Sequence, residues 1–351
     1  MPSVDVVIPC YRYGEVLPTA VRSVLDQPGV DVRVLVIDDA SGDGSADVAR
    51  SLAEADDRVE VSVHPVNRGH LATYNEGLLD WARADYSVLL SADDALTPGA
   101  LARATALLDA NPSVGFVYGR PLHWDGSVPL PAARTERPGW RVYPGRRWLR
   151  RRFALGNGCI TSPEVVVRTA LQRQLGGYDP RLPHTGDIEM WMRFALHSDV
   201  GYLSGVDQAY YRVHGANMST LYYGDAGVRD LRQRLAAYEV TLEHAAGVLP
   251  PAEAAALERR LRRVLARDAL QRAGRAYDKG RSGVEPVEDM VAFAREAVGD
   301  AVTRLPEWHT LALRRRLGTR ATHALRPLVL TAAARRVKRR YRVERWKHQG
   351  V

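Results

Sequence analysis

The first 118 residues alternate between short apolar runs and longer amphipathic segments. The apolar runs are nearly continuous in Val, Ile and Leu, whereas the segments between them carry apolar residues at a helical spacing. Strands that are apolar throughout are typical of a parallel sheet covered by helices on both faces. The pattern therefore predicts an α/β fold with a doubly wound, mostly parallel sheet. The predicted strands are "VDVVIPCY" from Val4, "VRVLVIDD" from Val32, "VEVSVHP" from Val59, "YSVLLSADD" from Tyr86 and "VGFVYG" from Val114.

The pattern changes twice after residue 118. Residues 119–185 are rich in Pro, Arg, Trp and Gly, and we expect irregular structure there. A helix is predicted at "GDIEMWMRFALHS", and helices rich in Ala, Arg and Leu follow from about Leu221. We therefore expect two domains: an α/β domain over residues 1–222, and an α-helical C-terminal domain over residues 223–351 that ends in a basic tail.

The cysteine content and the hydropathy of the chain indicate the cellular compartment in which we expect the protein. The two cysteines, Cys10 and Cys159, can form neither a disulfide framework nor a four-thiolate metal site, so a reducing compartment is expected. The first residues resemble a strand with an internal acid instead of a signal peptide, and no run approaches the ~20 apolar residues of a membrane span. These features predict a soluble, cytoplasmic protein.

The formal net charge is +8, and the basic end of the chain, "RRVKRRYRVERWKHQG", contributes much of it. A basic helical end that also carries Tyr and Trp has several interpretations. It can be a solvated face, a peripheral contact with the inner face of an anionic membrane, a homodimer contact, or a binding surface for an acidic acceptor. Nucleic acid is not expected as a partner, because the motifs described below favour another chemistry.

Polar side chains gather at the carboxyl ends of the predicted strands, which is where open parallel sheets bind ligands. The first strand ends in Pro9, Cys10 and Tyr11, the second in Asp38 and Asp39, and the fourth in Asp93 and Asp94. The adjacent carboxylates of Asp93 and Asp94 need solvent or a cation, since two such charges ~4 Å apart repel by roughly 4 kcal/mol near a protein surface. The chain has no GxGxxG after its first strand and no GxxxxGK[ST], so a dinucleotide-dependent enzyme and a P-loop enzyme are not expected.

Six blocks of sequence, in this order and spacing, resemble the motifs of family 2 inverting glycosyltransferases with the GT-A fold. The resemblance covers roughly residues 3–220, and no single block would suffice for it. The blocks are "VVIPCYRYGEVLPTAVRSVLDQ", "VLVIDDASGDGS", "NRGHLATYNEGL", "LLSADD", "GGYDPRLPHTGDIEMWMRFA" and "YYRVHGANMS".

The resemblance implies a nucleotide-sugar site along the sheet edge. Tyr11 is expected to stack on the nucleobase, and Asp39 to accept a hydrogen bond from its ring N–H. Asp93 is expected on the ribose or on a metal-bound water, and Arg212 on phosphate. The remaining residues expected on the nucleotide side are Pro9, Asp38, Asn67, Gly69 and Asn75. For Asp38 and Asp39 the alternative is capping of the following helix.

The resemblance also implies a divalent cation, Mn²⁺ or Mg²⁺, because both suit one or two carboxylates together with phosphate oxygens and water. Asp94 is expected to bind it, with His214 as a second ligand. Asp93 and Asp94 are not expected to chelate one ion as equals, since successive residues of an extended strand point to opposite sides. For His214 a structural role is the alternative.

Asp187, in the first turn of the helix predicted at "GDIEMWMRFALHS", is the expected general base for the acceptor. Its alternative is a helix cap. The family usually has an acid just before this aspartate, whereas here the position is Gly186, so Glu189 is the second choice of base. Glu189 and Arg193 are four residues apart, which predicts a salt bridge between them.

These inferences predict a metal-dependent inverting glycosyltransferase that moves a sugar from a UDP-, dTDP- or GDP-linked donor to a hydroxyl or amine of an unidentified acceptor. One alternative is a catalytically silent module that binds a nucleotide or a glycan, and Gly186 is the feature that favours it. A nucleotidyltransferase is a weaker alternative, because the Gly-rich, Lys-containing loop of sugar nucleotidyltransferases is missing.

Overall fold

The computed structural model describes residues 1–215, 217, 227–325, 344–346 and 348–351. These residues form two compact units. Unit 1 comprises Met1–Leu149, Gly158–His214 and Trp346–Val351, and unit 2 comprises Arg150–Asn157 and Gly215–Arg345. The boundary expected after residue 222 falls outside the described residues. The sequence did not indicate that residues 150–157 group with the helical unit or that the final six residues group with the α/β unit.

Unit 1 contains an eight-stranded sheet and a three-stranded sheet. The strands are β1 (Ser3–Cys10), β2 (Asp31–Asp38), β3 (Val59–Val63), β4 (Tyr86–Leu89), β5 (Ala95–Leu96), β6 (Val114–Tyr118), β7 (Pro121–Trp124), β8 (Gly139–Tyr143), β9 (Val166–Arg168), β10 (Asp199–Ser204) and β11 (Ala209–Arg212). The large sheet has the order β3-β2-β1-β4-β9-β6-β10-β8. Its β3-β2-β1-β4 half is parallel, as predicted.

The other half of the sheet mixes directions. Strand β9 is antiparallel to both β4 and β6, while β10 is parallel to β6 and antiparallel to β8. A strand that runs against its neighbours begins at the edge where they end. The residues just before Val166 therefore lie at the edge of the sheet that also carries the residues after β4.

The helices over the sheet begin close to where the apolar periodicity predicts. Helix α1 (Leu17–Leu25) buries Leu17, Ala20, Val21 and Val24 against the sheet core. The others in the α/β unit are α2 (Ser45–Ala55), α3 (His70–Asn75), α4 (Ala100–Ala110), α6 (Thr169–Leu175) and α7 (Gly186–His197), with α5 (Gly145–Leu155) preceding α6. The amphipathic segment between the third and fourth predicted strands forms α3, which is continued by a π-helical segment, Glu76–Trp81.

The prediction of irregular structure for residues 119–185 was wrong, because β7, β8, α5, β9 and α6 all lie there. The strands β7, β8 and β9 have four, five and three residues, which is too short for a clear hydrophobic pattern. Helix α5 has the sequence GRRWLRRRFAL, whose arginines mask the apolar positions Trp148, Leu149 and Phe153 that it buries.

The three-stranded sheet determines where the second half of the site lies. Strand β11 pairs antiparallel with β5 and parallel with β7, and Ala209 and Tyr210 lie opposite Leu96 and Ala95. Since β5 begins directly after Asp94 and β11 ends at Arg212, this pairing brings the segment after Tyr210 alongside the carboxylate pair.

Unit 2 is helical, with α8 (Val228–His244), α9 (Pro251–Asp278), α10 (Val287–Val298), the 3₁₀ segment Gly299–Arg304 and α11 (Pro306–Leu325). Leu261, Leu265, Ala269 and Phe293 are among its fully buried side chains. Asp230, Arg234, Asp268 and Arg272 form a network of ion pairs between α8 and α9. None of the described helices combines the length and the hydrophobicity of a bilayer span.

Candidate active site

The end of β2 carries two buried carboxylates with different surroundings. The Oδ2 atom of Asp38 accepts a 3.0 Å hydrogen bond from the backbone N–H of Ser41, and its Oδ1 is buried without a hydrogen-bond partner among the described residues. Neither aspartate caps α2, which begins at Ser45 after Gly44 and has no side-chain cap. The alternative of helix capping therefore does not apply to Asp38 or Asp39.

Asp39 organises the loop before α3. Its Oδ1 atom accepts hydrogen bonds from His64 and from the backbone N–H of Arg68, both 2.7 Å long, and Oδ2 accepts one of 2.9 Å from the N–H of Gly69. Burial acts to raise the pKa of Asp39, but the bonds from Arg68, His64 and Gly69 outweigh it and hold the pKa below its usual value. A carboxylate can accept about four hydrogen bonds, so room remains on Oδ2 for one further donor.

The loop after Asp39 is closely fitted to it. The side-chain amide of Asn67 donates to the Asp39 carbonyl at 3.1 Å, and Gly69 has a φ of 83°, a conformation that favours glycine. His64 lies between Asp39 and Glu76, whose Oε2 is 3.0 Å from His64 Nε2. His64 was not predicted as a site residue, because its position at the end of β3 resembles that of a core residue.

Tyr11 stands at the open end of β1, two residues after Pro9, with 42% of its surface exposed. The guanidinium of Arg12 lies over its ring, 5.1 Å from the centroid. Arg12 has a φ of 62°, and its backbone N–H donates to the Ser41 hydroxyl at 2.8 Å, which ties the end of β1 to the loop after β2. An exposed aromatic ring thus lies beside the Asp38–Asp39 loop, as a stacking residue for a base would.

Asp93 and Asp94 do not lie on a strand. Strand β4 ends at Leu89, and the pair lies in a turn in which the Asp94 N–H donates to the Ser91 carbonyl at 3.0 Å. The argument from strand alternation therefore had a wrong premise. The two carboxylates nevertheless have different partners: His214 Nε2 lies 2.9 Å from Asp93 Oδ2, and Asp94 Oδ1 accepts a 2.9 Å hydrogen bond from the backbone N–H of Arg212.

Asp94 is the more buried of the two, with 4% of its surface exposed. Burial and then the charge of Asp93 raise the pKa of Asp94 well above its usual value. The Oδ2 atom of Asp94 accepts no hydrogen bond from the described residues. A buried carboxylate with one oxygen available and a second carboxylate beside it is an arrangement that a cation would stabilise.

The side chains near Asp94 suit a cation that takes most of its ligands from the substrate and from water. In the described part of the chain, no three His, Cys, Asp or Glu side chains converge on one point. A cation at Asp94 would therefore have one or two protein ligands, which suits Mg²⁺ or Mn²⁺ bound to a diphosphate and does not suit a fully protein-bound metal centre. His214 contacts Asp93, and Tyr13 Oη is 3.4 Å from the same ring nitrogen.

The guanidinium of Arg212 lies over the ring of Trp124, 5.2 Å from its centroid. Gly126 packs closely against this guanidinium. A Cβ atom added to Gly126 would lie 2.6–2.9 Å from the Nη2, Nε and Cζ atoms of Arg212. The predicted contact of Arg212 with phosphate stays a prediction. What the structure adds is that the backbone of the same residue holds Asp94.

Asp187 lies in the first turn of α7, whose N-cap is Thr185, so Asp187 is not the cap. Burial raises the pKa of Asp187 to about 6, although the backbone N–H groups of Ile188 and Asp187 and the side chain of Ser162 act to lower it. A carboxylate with a pKa near neutrality is a better proton acceptor than an ordinary aspartate.

Glu189, the second choice of base, is fully buried and bound to Arg193. The Arg193 Nε and Nη2 atoms donate to its two carboxylate oxygens at 2.8 and 3.0 Å, so the predicted salt bridge is confirmed. Arg193 also donates to the carbonyls of Gly176 and Gly177. The pair holds the loop before α7, and this structural role favours Asp187 over Glu189 as the base.

Asn75 has a similar tethering role. Its Nδ2 donates to the Tyr178 carbonyl at 2.9 Å, and its Oδ1 accepts from the Tyr178 N–H at 2.7 Å. The two bonds attach α3 to the loop that leads to Asp187. Both ends of the Asn75 amide therefore already bind protein. The predicted contact of Asn75 with the nucleotide stays a prediction.

Two residues of this region were not predicted from the sequence. Tyr74 packs edge-on against Tyr178, with ring centroids 5.2 Å apart. Burial, followed by the charges of Asp93 and Asp187, raises the pKa of Tyr74, so this phenol lies in the field of both the turn after β4 and the start of α7.

The second is Glu164, in the loop before β9. It is 2% exposed, its Oε1 accepts a 3.0 Å hydrogen bond from the Thr161 N–H, and its Oε2 is buried without a partner among the described residues. Burial raises the pKa of Glu164 to about 7, and the charge of Asp187 adds to the rise. No sequence signal marks Glu164, because it reaches the site through the beginning of a reversed strand.

Comparison with known proteins agrees with this geometry. Residues 5–168 match the model of glycosyl transferase family 2. A β-1,3-glucosyltransferase of Campylobacter jejuni that acts on GalNAc(5)-diNAcBac-PP-undecaprenol is 31% identical over 123 residues, which are 35% of this chain and 39% of that protein. The alignments with the first three curated relatives span 39–66% of those proteins' lengths.

Two solved structures have a similar fold. Staphylococcus aureus TarS 1–349 in complex with UDP superposes with a TM-score of 0.60 at 16% identity, covering 95% of this chain and 92% of the TarS chain. The mannosyltransferase PcManGT of Pyrobaculum calidifontis, in complex with GDP-Man and Mn²⁺, gives a TM-score of 0.51 at 17% identity, covering 92% and 87%.

The mostly parallel sheet, with carboxylates at the ends of its strands, is a GT-A fold. Over residues 5–168, the chain is similar to the members of glycosyltransferase family 2.

Proposed function

We propose that this protein is a metal-dependent inverting glycosyltransferase, which moves a sugar from a nucleotide-diphosphate donor to a hydroxyl or amine acceptor. The observation that carries the proposal is the arrangement at the turn after β4. There the buried Asp94 has one oxygen held by the Arg212 N–H and the other open, and Asp93 is paired with His214. The family match and the GT-A fold support the same class of reaction.

On the donor side, Asp39 and Tyr11 bind the nucleobase. Asp39 is held by His64, Arg68 and Gly69 and keeps capacity for one more donor, which is the requirement for accepting a ring N–H. Tyr11 supplies an exposed ring for stacking. Asp38, whose Oδ1 is buried and unpaired among the described residues, takes a donor from the same nucleotide.

Asp94 would hold the divalent cation, with His214 as a second ligand or as the partner that orients Asp93, and Asp93 would contact the ribose or a metal-bound water. When bound, the cation supplies Lewis-acid neutralisation of the charge on the departing diphosphate. Support comes from the burial of Asp94 next to Asp93, and from PcManGT, a neighbour of the same fold that binds GDP-Man with Mn²⁺.

The chemical step is a single displacement at the anomeric carbon. The acceptor oxygen or nitrogen forms a bond to that carbon while the bond from the carbon to the diphosphate oxygen breaks, and the nucleoside diphosphate leaves with the bonding electrons. Asp187 takes the proton that the acceptor loses. One displacement inverts the anomeric configuration.

The proposed donor is a UDP-, dTDP- or GDP-linked sugar. The solved neighbours bind UDP, UDP-GlcNAc or GDP-Man, and the Campylobacter relative is a glucosyltransferase. We therefore choose UDP-glucose, UDP-N-acetylglucosamine and GDP-mannose as the first donors to test.

The decisive experiment has two stages. A thermal-shift screen of UDP, dTDP and GDP, each with and without Mn²⁺, is expected to give a shift for one nucleotide that depends on Mn²⁺. The matching nucleotide sugar is then expected to release its nucleoside diphosphate slowly, with water as the acceptor.

Two variants test the assigned roles, Asp94→Ala and Asp187→Asn. The first is expected to remove the Mn²⁺-dependent shift. The second is expected to leave the shift intact and to lower the rate of release by about 10²- to 10⁴-fold, the usual contribution of a general base. Absence of turnover together with unchanged nucleotide affinity in Asp94→Ala would contradict the proposal.

A further inference from the structure

Three tyrosines and an arginine form a row of hydrogen-bond donors across three strands of the large sheet. Tyr118 of β6 lies opposite Tyr202 of β10, and Tyr202 lies opposite Arg141 of β8. Tyr143 follows Arg141 by two residues, so its side chain lies on the same face of β8. The four side chains therefore lie side by side on one face of the sheet.

This row binds the backbone of a segment distant in sequence, which comprises Trp346 and residues 348–351 and which we call the strap. Four carbonyls of the strap accept hydrogen bonds from the four side chains. The bonds run from Tyr202 to Trp346 at 3.2 Å, from Arg141 to His348 at 3.1 Å, from Tyr143 to Gln349 at 2.6 Å and from Tyr118 to Gly350. Because every residue has a carbonyl, the row recognises the path of the strap backbone.

Gly350 fits against the row because it has no side chain. Its N–H donates to the Trp346 carbonyl at 2.6 Å, which closes a single helical turn. Its φ of 68° lies in the left-handed region in which such turns commonly end. A Cβ atom on Gly350 would lie 2.4 Å from Cγ and Cδ2 of Tyr202. A larger residue at position 350 would therefore collide with the Tyr202 ring.

The hydroxyl of Tyr118 has a fixed direction of donation. Trp148 Nε1 donates to the Tyr118 oxygen at 3.2 Å, and an indole N–H can only donate. The hydroxyl hydrogen is therefore the one given to the Gly350 carbonyl. Tyr118 is fully buried, so release of the strap would take this acceptor from a buried donor, which is costly. The row is thus favoured in its occupied state.

The indole of Trp346 connects the strap to the loop before β9. Its Nε1 donates to the Cys159 carbonyl at 2.9 Å. The neighbouring Gly158 packs on the first turn of α7, since a Cβ atom on Gly158 would lie 3.1 and 3.2 Å from Cγ1 and Cδ1 of Ile188. Ile188 directly follows Asp187 in the chain. The strap is therefore linked, through this loop, to the turn that carries the proposed base.

We propose that Trp346 is a positioning residue for the acceptor side of the site: while the strap is docked on its row of donors, the indole holds residues 158–161 against the first turn of α7, and release of the strap frees them. This inference rests on the proposed function, because it assigns a role in turnover to contacts beside Asp187. A separate peptide with the sequence of residues 346–351 would occupy the same row.

Two variants break the connection by different means. Gly350→Ala places a methyl group against the Tyr202 ring, and Trp346→Phe keeps an aromatic ring but removes the bond to Cys159. The activity measured is release of nucleoside diphosphate from the active donor among UDP-glucose, UDP-N-acetylglucosamine and GDP-mannose, with water as acceptor. Both variants should lower kcat by about 3- to 10-fold, the range for loss of one neutral hydrogen bond. The KM for the donor should stay unchanged, because the donor side of the proposed site lies at the ends of β1, β2 and β4.

The matched controls make the same substitutions elsewhere. Gly283→Ala adds a methyl group with no described atom within 4 Å of it, and Trp140→Phe alters an indole on β8 that is 46% exposed. Both should keep kcat within about twofold of the wild type.

Rescue by a peptide distinguishes positioning from a general loss of structure. Addition of the synthetic peptide WKHQGV at about millimolar concentration, the effective concentration of a tethered segment, should restore kcat in Gly350→Ala. The peptide WKHQAV, which carries the same obstructing methyl group, should not restore it.

A second readout separates this inference from the proposed function. Hydrogen–deuterium exchange of residues 158–161 should be faster in Gly350→Ala and in Trp346→Phe than in the wild type, and WKHQGV should slow it again in Gly350→Ala. If the wild type turns over none of the three donors, the proposed function fails, and the exchange comparison still decides whether the strap holds the loop. Unchanged exchange in both variants, or faster exchange with wild-type kcat in an active enzyme, would overturn the inference.

Discussion

The Nε2 atom of His214 lies 2.9 Å from Oδ2 of Asp93, so the segment after β11 is attached to the turn that carries the carboxylate pair. The backbone N–H of Arg212 makes the second attachment, to Asp94. Two adjacent carboxylates thus have two different partners from one strand end. This division makes the roles of Asp93 and Asp94 separable by mutation.

Replacing His214 with Ala should weaken the binding of nucleoside diphosphate with Mn²⁺ by about 10-fold or more, the scale on which partners of metal ligands act. The loss follows because Asp93 is left unpaired beside Asp94. Isothermal titration calorimetry would measure it. Tyr13→Phe is the control, since it removes only the 3.4 Å contact to the same nitrogen and should change the affinity little.

Asp94→Asn should abolish the part of the nucleotide affinity that depends on Mn²⁺. The same variant should make the metal-free protein more stable than the wild type above neutral pH. Asn retains an oxygen for the Arg212 N–H, yet it carries no charge to bury. Since burial raises the pKa of Asp94, folding favours its protonated form, and the wild type loses this stability as the pH rises above the unfolded pKa. Titration calorimetry and thermal melts at pH 8 measure the two effects. The exposed Asp57→Asn should show neither.

Glu189→Ala should destabilise the protein by about 3 kcal/mol or more, because it leaves the buried guanidinium of Arg193 without its charge partner. Urea denaturation would measure this change. Glu288→Ala is the matched control: Glu288 also pairs with an arginine, Arg315, but is 79% exposed, so its loss should cost less than about 1 kcal/mol. A stable Glu189→Ala variant that lacks only catalysis would instead support Glu189 as the base.

Glu164→Gln should flatten the dependence of stability on pH. Folding raises the pKa of Glu164 from 4.5 to about 7, so the folded state binds its proton more tightly than the unfolded state. Wild-type stability should therefore fall between about pH 4.5 and pH 7, by on the order of 3 kcal/mol from this residue. Gln cannot titrate, so the difference between the free energies of unfolding at pH 4.5 and pH 8 should shrink by that amount. The exposed Glu15→Gln should leave the difference unchanged.

Much of the fold was predictable because the signals in the first 118 residues are long and regular. All five predicted strands are present, and α1, α2 and α4 lie within the predicted segments. Within residues 119–185 the strands are short, as in the three-residue β9, and the arginine-rich helix α5 hides its few apolar positions. Hydrophobic period alone cannot identify such elements.

The candidate site was predictable in part for a related reason. Parallel strands bring their carboxyl ends together, so Asp39 and Asp94 could be placed at one edge from the sequence. Ser162 and Glu164 reach that edge through the beginning of an antiparallel strand, and nothing in a local pattern states that β9 is reversed. The tethers of Asn75 to Tyr178 and of Asp39 to Arg68 and Gly69 depend on tertiary contacts for the same reason.

The pairing of β11 with β5 also has a consequence for folding. The contacts of Asp94 with Arg212 and of Asp93 with His214 close loops of 118 and 121 residues. Closing such loops carries an entropic cost that only the surrounding native contacts offset, and contacts so distant in sequence slow the search for the native state. The turn that carries Asp93 and Asp94 gains its partners His214 and Arg212 only when β11 has joined the three-stranded sheet. In a refolding experiment, recovery of nucleotide binding therefore reports completion of unit 1, later than the recovery of helical signal.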